Sequence, residues 1–132
     1  IDPASIGFLA EVGAARFLGW TAGADWIFAN ADEAGALTGA DDLEQQLRML
    51  GEQFTHVVIK RGQLGAVLGG REGVRVALPA QIVPVVDSTG AGDAFAAGLL
   101  AAHLAGQDMA VALAAGIAAG ARAVQFIGGQ PQ

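Results

Sequence analysis

The chain has 132 residues, of which 53% are hydrophobic, and it carries a formal net charge of −6. This length allows one domain with a sizeable core, and an acidic chain without a basic cluster argues against nucleic acid or an anionic membrane surface as a partner. The absence of cysteine excludes disulfides and thiolate metal sites, and it is compatible with the reducing cytoplasm, where we expect the protein to work.

Apolar runs alternate with turn residues along the chain, as is typical of an α/β protein. In chain order they predict a helix over 5–18, a strand over 26–29, helices over 30–37 and 42–50, a strand over 56–60, a hairpin over 66–69 and 74–78, a strand over 82–86, and helices over 92–105 and 109–126. Asn30 and Asp42 favour helix N-caps, and Glu33 and Gln45 stand at capping-box spacing from them. We therefore predict an α/β fold with an open, mostly parallel sheet and flanking helices.

The stretch from Ala94 to Val124 is apolar enough to raise the question of a membrane span. His103, Gln107 and Asp108 interrupt it, and the two remaining pieces are too short to cross a bilayer. We therefore expect no membrane partner. The small residues of this stretch predict that its two helices pack closely together.

The run from Asp87 to Gly98, DSTGAGDAFAAG, is the most informative part of the chain. An apolar strand over 82–86 leads into it, so its glycines should turn the backbone into a helix with Asp93 in the first turn. The free amides at such a helix start form an anion site. The carboxylate of Asp93 would repel an anion bound there, and a role in taking a proton from a hydroxyl that attacks phosphorus explains its presence. The alternative is that this carboxylate stabilises the helix dipole.

This run resembles the C-terminal signature of the ribokinase-like (PfkB) carbohydrate kinases, Asp-Thr-x-Gly-Ala-Gly-Asp. The resemblance implies a ribokinase-like fold and ATP-dependent phosphorylation of a hydroxyl on a sugar or nucleoside. It implies that Asp93 is the general base and that the amides of Gly90, Ala91, Gly92 and Asp93 form the anion hole. It also implies a monovalent-cation site, such as one for K⁺, near Asp87.

Asn30 and Glu33 resemble the Asn-x-x-Glu motif of the same family. The resemblance implies that both side chains help to hold Mg²⁺ and the nucleotide phosphates, largely through water, since Mg²⁺ prefers oxygen ligands and keeps several waters. A helix N-cap with a capping box accounts for the same two residues. The two roles are compatible, and the sequence leaves both open.

The segment from Lys60 to Ala66 resembles the family pattern x-x-Gly-x-x-Gly, with Gly62 and Gly65 at the glycine positions. The resemblance implies that this loop lies beside the phosphates and ribose of ATP. Lys60 would either meet a phosphate or remain a solvated surface cation. Gly116 belongs to a group of small residues that resembles the wall beside the adenine, and packing against the preceding helix explains it equally.

The resemblance covers nearly the whole chain but matches only the C-terminal part of a family member. We therefore expect residues 1–132 to be the nucleotide-binding and catalytic part of a longer kinase, without the N-terminal substrate and lid part. Such a piece should pair with another copy, since it exposes a sheet edge, and it could be inactive alone. A non-catalytic nucleotide-binding or assembly module is the alternative, and a dinucleotide-binding oxidoreductase is disfavoured because no Gly-x-Gly-x-x-Gly follows the first strand.

Overall fold

The computed structural model describes residues 13–81 and 90–125 of the chain. In chain order, their elements are α1 (Ala14–Trp20), β1 (Trp26–Asn30), α2 (Ala31–Thr38), α3 (Leu43–Leu50), β2 (His56–Lys60), a 3-10 turn (Gly62–Leu64), β3 (Ala66–Gly70), β4 (Gly73–Leu78), α4 (Ala91–Leu104) and α5 (Met109–Ala123). The predicted elements within these ranges are confirmed, with ends that shift by a few residues. The predicted strand over 82–86 and the start of the helix over 5–18 lie outside the described residues.

The described residues divide into two compact units. The first comprises 13–61 and 67–77, and the second comprises 62–66, 78–81 and 90–125. No linker or change of composition marks this division, so the sequence did not reveal it. In the part of the chain that the structure describes, no helix is both long enough and apolar enough to cross a membrane.

The four strands form one sheet in the order β1-β2-β3-β4. Strands β1 and β2 are parallel, with Trp26 opposite His56 and Asn30 opposite Lys60. The connections from β2 to β3 and from β3 to β4 are too short for a parallel crossover, so these neighbours run antiparallel and the sheet is mixed. The sheet with its helices confirms the predicted α/β class, and its parallel pair carries two of the residues singled out in the sequence, Asn30 and Lys60.

The core of the first unit lies on one face of the sheet. Successive side chains of a strand point to opposite faces of the sheet. Ala29 in β1 and Ile59 in β2 point to the face that bears this core, and both are fully buried. The other members of the cluster come from the strands and from the helices that cover them: Phe17, Ile27, Ala34, Leu37, Leu47, Leu50, Phe54, Val57 and Val67. Asn30 and Lys60 have the opposite parity, so the strand pleat directs them away from this core.

Three of the described helices begin with a side-chain cap, as their sequences favour. Asn30, Asp42 and Asp108 are the N-caps of α2, α3 and α5, and each side chain accepts a hydrogen bond from the amide three residues later, at 2.8, 3.1 and 2.9 Å. Such a cap stabilises a helix by about 1 kcal/mol. Helix α2 ends at Gly39, as the sequence predicts.

Helices α4 and α5 of the second unit pack closely through glycines. A Cβ atom on Gly98 would lie 2.7 Å from Cβ of Ala119 and 2.9 Å from the carbonyl oxygen of Ala115. A Cβ atom on Gly116 would lie 3.0 Å from the carbonyl oxygen of Phe95. This close approach confirms the packing role that the sequence allowed for Gly116.

We expect Gly98→Ala to lower the free energy of unfolding by about 1–2 kcal/mol, because the added methyl forces α4 and α5 apart and this outweighs the gain in helix propensity. Thermal or urea unfolding measures the effect. Gly19→Ala is the matched control, since a Cβ there meets nothing within 4 Å and should stabilise α1 by about 0.5–1 kcal/mol. Equal effects of the two substitutions would contradict the close packing of α4 and α5.

Candidate functional site

The carboxyl ends of β1 and β2 bring together two of the residues that the sequence singled out. Asn30 ends β1, Lys60 ends β2, and the parallel register places them opposite each other. Asn30 is exposed and Lys60 is half-buried. Ligands of open α/β sheets bind at this edge, so the topology of the first unit places both side chains where a ligand would be met.

Asn30 and Glu33 form a complete capping box at the start of α2. The Oδ1 atom of Asn30 accepts a hydrogen bond from the backbone N–H of Glu33 at 2.8 Å. The Oε1 atom of Glu33 accepts one from the backbone N–H of Asn30 at 2.9 Å. These two hydrogen bonds confirm the capping role that the sequence left open. Glu33 itself is 3% exposed.

The capping box leaves the second carboxylate oxygen of Glu33 unused, so it is compatible with the water-mediated contact to Mg²⁺ that the resemblance implies. Magnesium binds oxygen atoms, and its bound waters donate hydrogen bonds to acceptors. Asn30 uses Oδ1 and Glu33 uses Oε1 within the capping box, and the carboxylate is buried. Over residues 13–81 and 90–125, no group of three or more histidine, cysteine or acidic side chains could hold a metal ion. The Nδ2 group of the exposed Asn30, a donor, takes no part in the two hydrogen bonds of the box.

The loop after β2 owes its shape to two glycines. A 3-10 turn begins at Gly62, and the N–H of Gly65 donates to the carbonyl oxygen of Gly62 at 3.0 Å. Gly65 has φ 95°, and a Cβ atom there would overlap the carbonyl oxygen of Leu78 and lie 2.8 Å from Pro79. Gly65 therefore lets the loop pass directly against the backbone at the end of β4. This contact is a structural reason for glycine at position 65, and the sequence alone did not reveal it.

The start of α4 is built differently from those of α2, α3 and α5. Its N-cap is Gly90, in the left-handed conformation at φ 78°, and no side chain caps the helix. The first hydrogen bond of the helix runs from the N–H of Ala94 to the carbonyl oxygen of Gly90, at 2.9 Å. The amides of Ala91, Gly92 and Asp93 precede it and have no partner within the helix. The exposed side chain of Asp93 lies in this same turn, as predicted.

The amides at this helix start make it suitable for an anion. The positive end of the helix dipole adds to the effect of the free N–H groups. The glycine N-cap supplies no side-chain oxygen that would accept from these amides. Asp93 adds an exposed carboxylate to the same turn. Among the other predicted site residues, Gly116 is buried in α5, and Asp87 lies outside the described residues.

The first unit also contains an open cleft that the sequence did not predict. Its volume is 570 Å³, and its polar lining residues are Asp32, Asp41, Gln46 and Arg61. These side chains come from the starts of α2 and α3 and from the end of β2, and no recognisable spacing links them. The predicted site residues Asn30 and Lys60 are absent from its lining.

A family model described as pfkB family carbohydrate kinase matches residues 8–132. The cytidine kinase of Thermococcus kodakarensis is 41% identical over 85 residues, which are 63% of this chain and 31% of the relative. The crystal structure of adenosine kinase from Sinorhizobium meliloti matches with a TM-score of 0.89 and 26% identity, over 98% of this chain and 40% of that one.

A double mutant of fructokinase from Vibrio cholerae, in its fructose, ADP and potassium ion bound form, matches with a TM-score of 0.78 and 28% identity. The match covers 88% of this chain and 39% of the fructokinase. The chain thus spans less than half the length of each of these three proteins.

Proposed function

The chain belongs to the pfkB family of carbohydrate kinases. On this premise we propose that it carries out ATP-dependent phosphoryl transfer. The reaction transfers the γ-phosphoryl group of ATP to a hydroxyl of a sugar or a nucleoside. The similar proteins bear the names of sugar and nucleoside kinases, which supports this class of substrate. The proposed roles rest on the start of α4, where an uncapped turn of amides adjoins an exposed carboxylate.

Asp93 is the general base of the proposed reaction. Its carboxylate takes the proton of the substrate hydroxyl, whose oxygen forms a bond to the γ-phosphorus while the bond from that phosphorus to the β–γ bridging oxygen breaks and ADP leaves. The amides of Gly90, Ala91, Gly92 and Asp93 stabilise the charge on the phosphoryl oxygens during transfer. The glycine N-cap supports this role, because it contributes no side-chain oxygen to compete for those amides.

The nucleotide is proposed to contact the carboxyl end of β2 and the loop that follows it. Lys60 supplies a positive charge for a phosphate, and Gly62 and Gly65 shape the loop beside the ribose. Gly116 acts indirectly, by allowing α5 to pack against α4. Asp87 is proposed to lie near a K⁺ site, and the potassium ion of the similar fructokinase supports that proposal. Mg²⁺ would neutralise the phosphate charge when bound with ATP.

Calorimetric titration of the full-length protein with ATP, in magnesium buffer and with NAD as the control, tests the proposal. Saturable binding of ATP and no binding of NAD is the expected result. Binding of NAD instead would favour an oxidoreductase. The absence of binding by either nucleotide would contradict the proposed function.

A further inference from the structure

The open cleft of the first unit lies on the face of the sheet that bears α2 and α3. Ile59 belongs to the core on this face and borders the cleft, as does Arg61, two residues further along the chain. Asn30 and Lys60 have the opposite strand parity and do not line it. The cleft therefore contains none of the residues with a role in the proposed phosphoryl transfer, and its volume of 570 Å³ is that of a small-molecule site.

The amide of Gln46 supplies a nearly buried acceptor to the cleft. The residue is 6% exposed, and its Nε2 group donates to the carbonyl oxygen of Ala40 at 2.7 Å. Because a carbonyl oxygen only accepts, this bond fixes which end of the amide is Oε1. Over residues 13–81 and 90–125, Oε1 accepts no hydrogen bond, yet no fully enclosed side-chain oxygen lacks a partner. Oε1 must therefore be open to the cleft, where it can accept from a ligand.

Charged side chains of both signs line the cleft without pairing with each other. Arg61 is half-buried, and Asp32 and Asp41 are exposed. None of the three side chains forms an ion pair or a hydrogen bond with another residue of the described ranges. A guanidinium group binds a carboxylate through two parallel hydrogen bonds, and carboxylate and amide oxygens accept from an ammonium group. The cleft thus offers separate partners for a negative and a positive group of one ligand.

We propose that this cleft binds a free α-amino acid with an apolar side chain. The carboxylate of the ligand accepts from Arg61. Its ammonium group donates to Oε1 of Gln46 and to the carboxylates of Asp32 and Asp41, and its side chain lies against Leu43, which lines the cleft and is partly buried. A simple anion is repelled by two carboxylates and a simple cation by the guanidinium, whereas a zwitterion suits both. The proposal does not rest on the proposed function.

Calorimetric titration of the full-length protein with three probes of similar shape tests the proposal. L-Leucine carries both charges, 4-methylpentanoate lacks the ammonium group, and 3-methylbutylamine lacks the carboxylate. L-Leucine should bind with a Kd of about 0.1–1 mM, and each of the other two probes should bind at least about tenfold more weakly. Binding of either single-charge probe as tightly as L-leucine, or no saturation by L-leucine at about 20 mM, would overturn the proposal.

Substitution of Arg61 places the bound amino acid in the cleft. R61A removes the partner of the ligand carboxylate, so its Kd for L-leucine should rise about tenfold, while its Kd for 3-methylbutylamine should not rise. A merely structural effect of the substitution would weaken the binding of both probes. R71A is the matched control, since Arg71 is an exposed arginine in the turn between β3 and β4, and it should leave the Kd for L-leucine unchanged. Equal weakening of L-leucine binding by R61A and R71A, or of both probes by R61A, would contradict the proposed site.

Discussion

Replacement of Asp93 by Asn is expected to abolish most phosphoryl transfer while ATP binding survives. An amide cannot take the proton of the substrate hydroxyl, and the loss of a general base lowers kcat by about 10²–10⁴-fold. The side chain keeps its size, and the exposed position within the first turn of α4 tolerates the change. Steady-state kinetics of the full-length protein, together with calorimetric titration of ATP, measure both properties.

Asp108→Asn is the matched control for this experiment. Asp108 is also exposed at a helix start, where it caps α5 by accepting from the amide of Val111 at 2.9 Å. Because Asn caps a helix as well as Asp does, this variant should keep both its stability and its kcat. If Asp93 only stabilises the helix dipole, D93N would lose about 0.3–1 kcal/mol of stability and keep near-normal turnover, and that outcome would reject Asp93 as the base.

Gly65→Ala is expected to be the most destabilising single substitution considered, with a loss of about 3–5 kcal/mol in the free energy of unfolding. Its φ of 95° is rarely adopted by other residues, and the added methyl would overlap the carbonyl oxygen of Leu78. The loop could accept the methyl only by moving off the end of β4. Urea unfolding of the full-length protein, followed by circular dichroism, gives the magnitude.

Gly62→Ala separates the steric overlap from backbone strain. Gly62 also has a positive φ, 57°, but a Cβ atom there meets nothing within 4 Å. This substitution should cost only about 1–2 kcal/mol, the penalty of the left-handed conformation. Similar losses in the two variants would show that contact with Leu78 does not determine the need for glycine at position 65.

The features that the sequence predicted best are those governed by neighbours along the chain. The N-caps at Asn30 and Asp42 and the end of α2 at Gly39 depend on hydrogen bonds between residues a few positions apart. The turn at Gly90 is equally local, because the left-handed conformation of one glycine starts α4. Each of these features depends on a short stretch of sequence, so the structure confirms them with small shifts in the helix ends.

The features that the sequence could not give depend on distant residues. The overlap that forbids a side chain at Gly65 involves Leu78, and the contact that requires glycine at position 98 involves Ala119. The position of Lys60 opposite Asn30 likewise follows from strand register. For Asn30 and Glu33, the sequence left capping and metal binding both open, and only the two hydrogen-bond distances showed which atoms are already in use.

Transfer of radiolabelled γ-phosphate from ATP by the full-length protein tests the central claim most directly. The acceptors would be a panel of sugars and nucleosides, with unlabelled product confirmed by mass spectrometry. The account predicts that at least one acceptor is phosphorylated with release of an equal amount of ADP, and that D93N fails to do so. Binding of ATP without transfer to any sugar or nucleoside in the panel would contradict it and would favour a non-catalytic nucleotide-binding module.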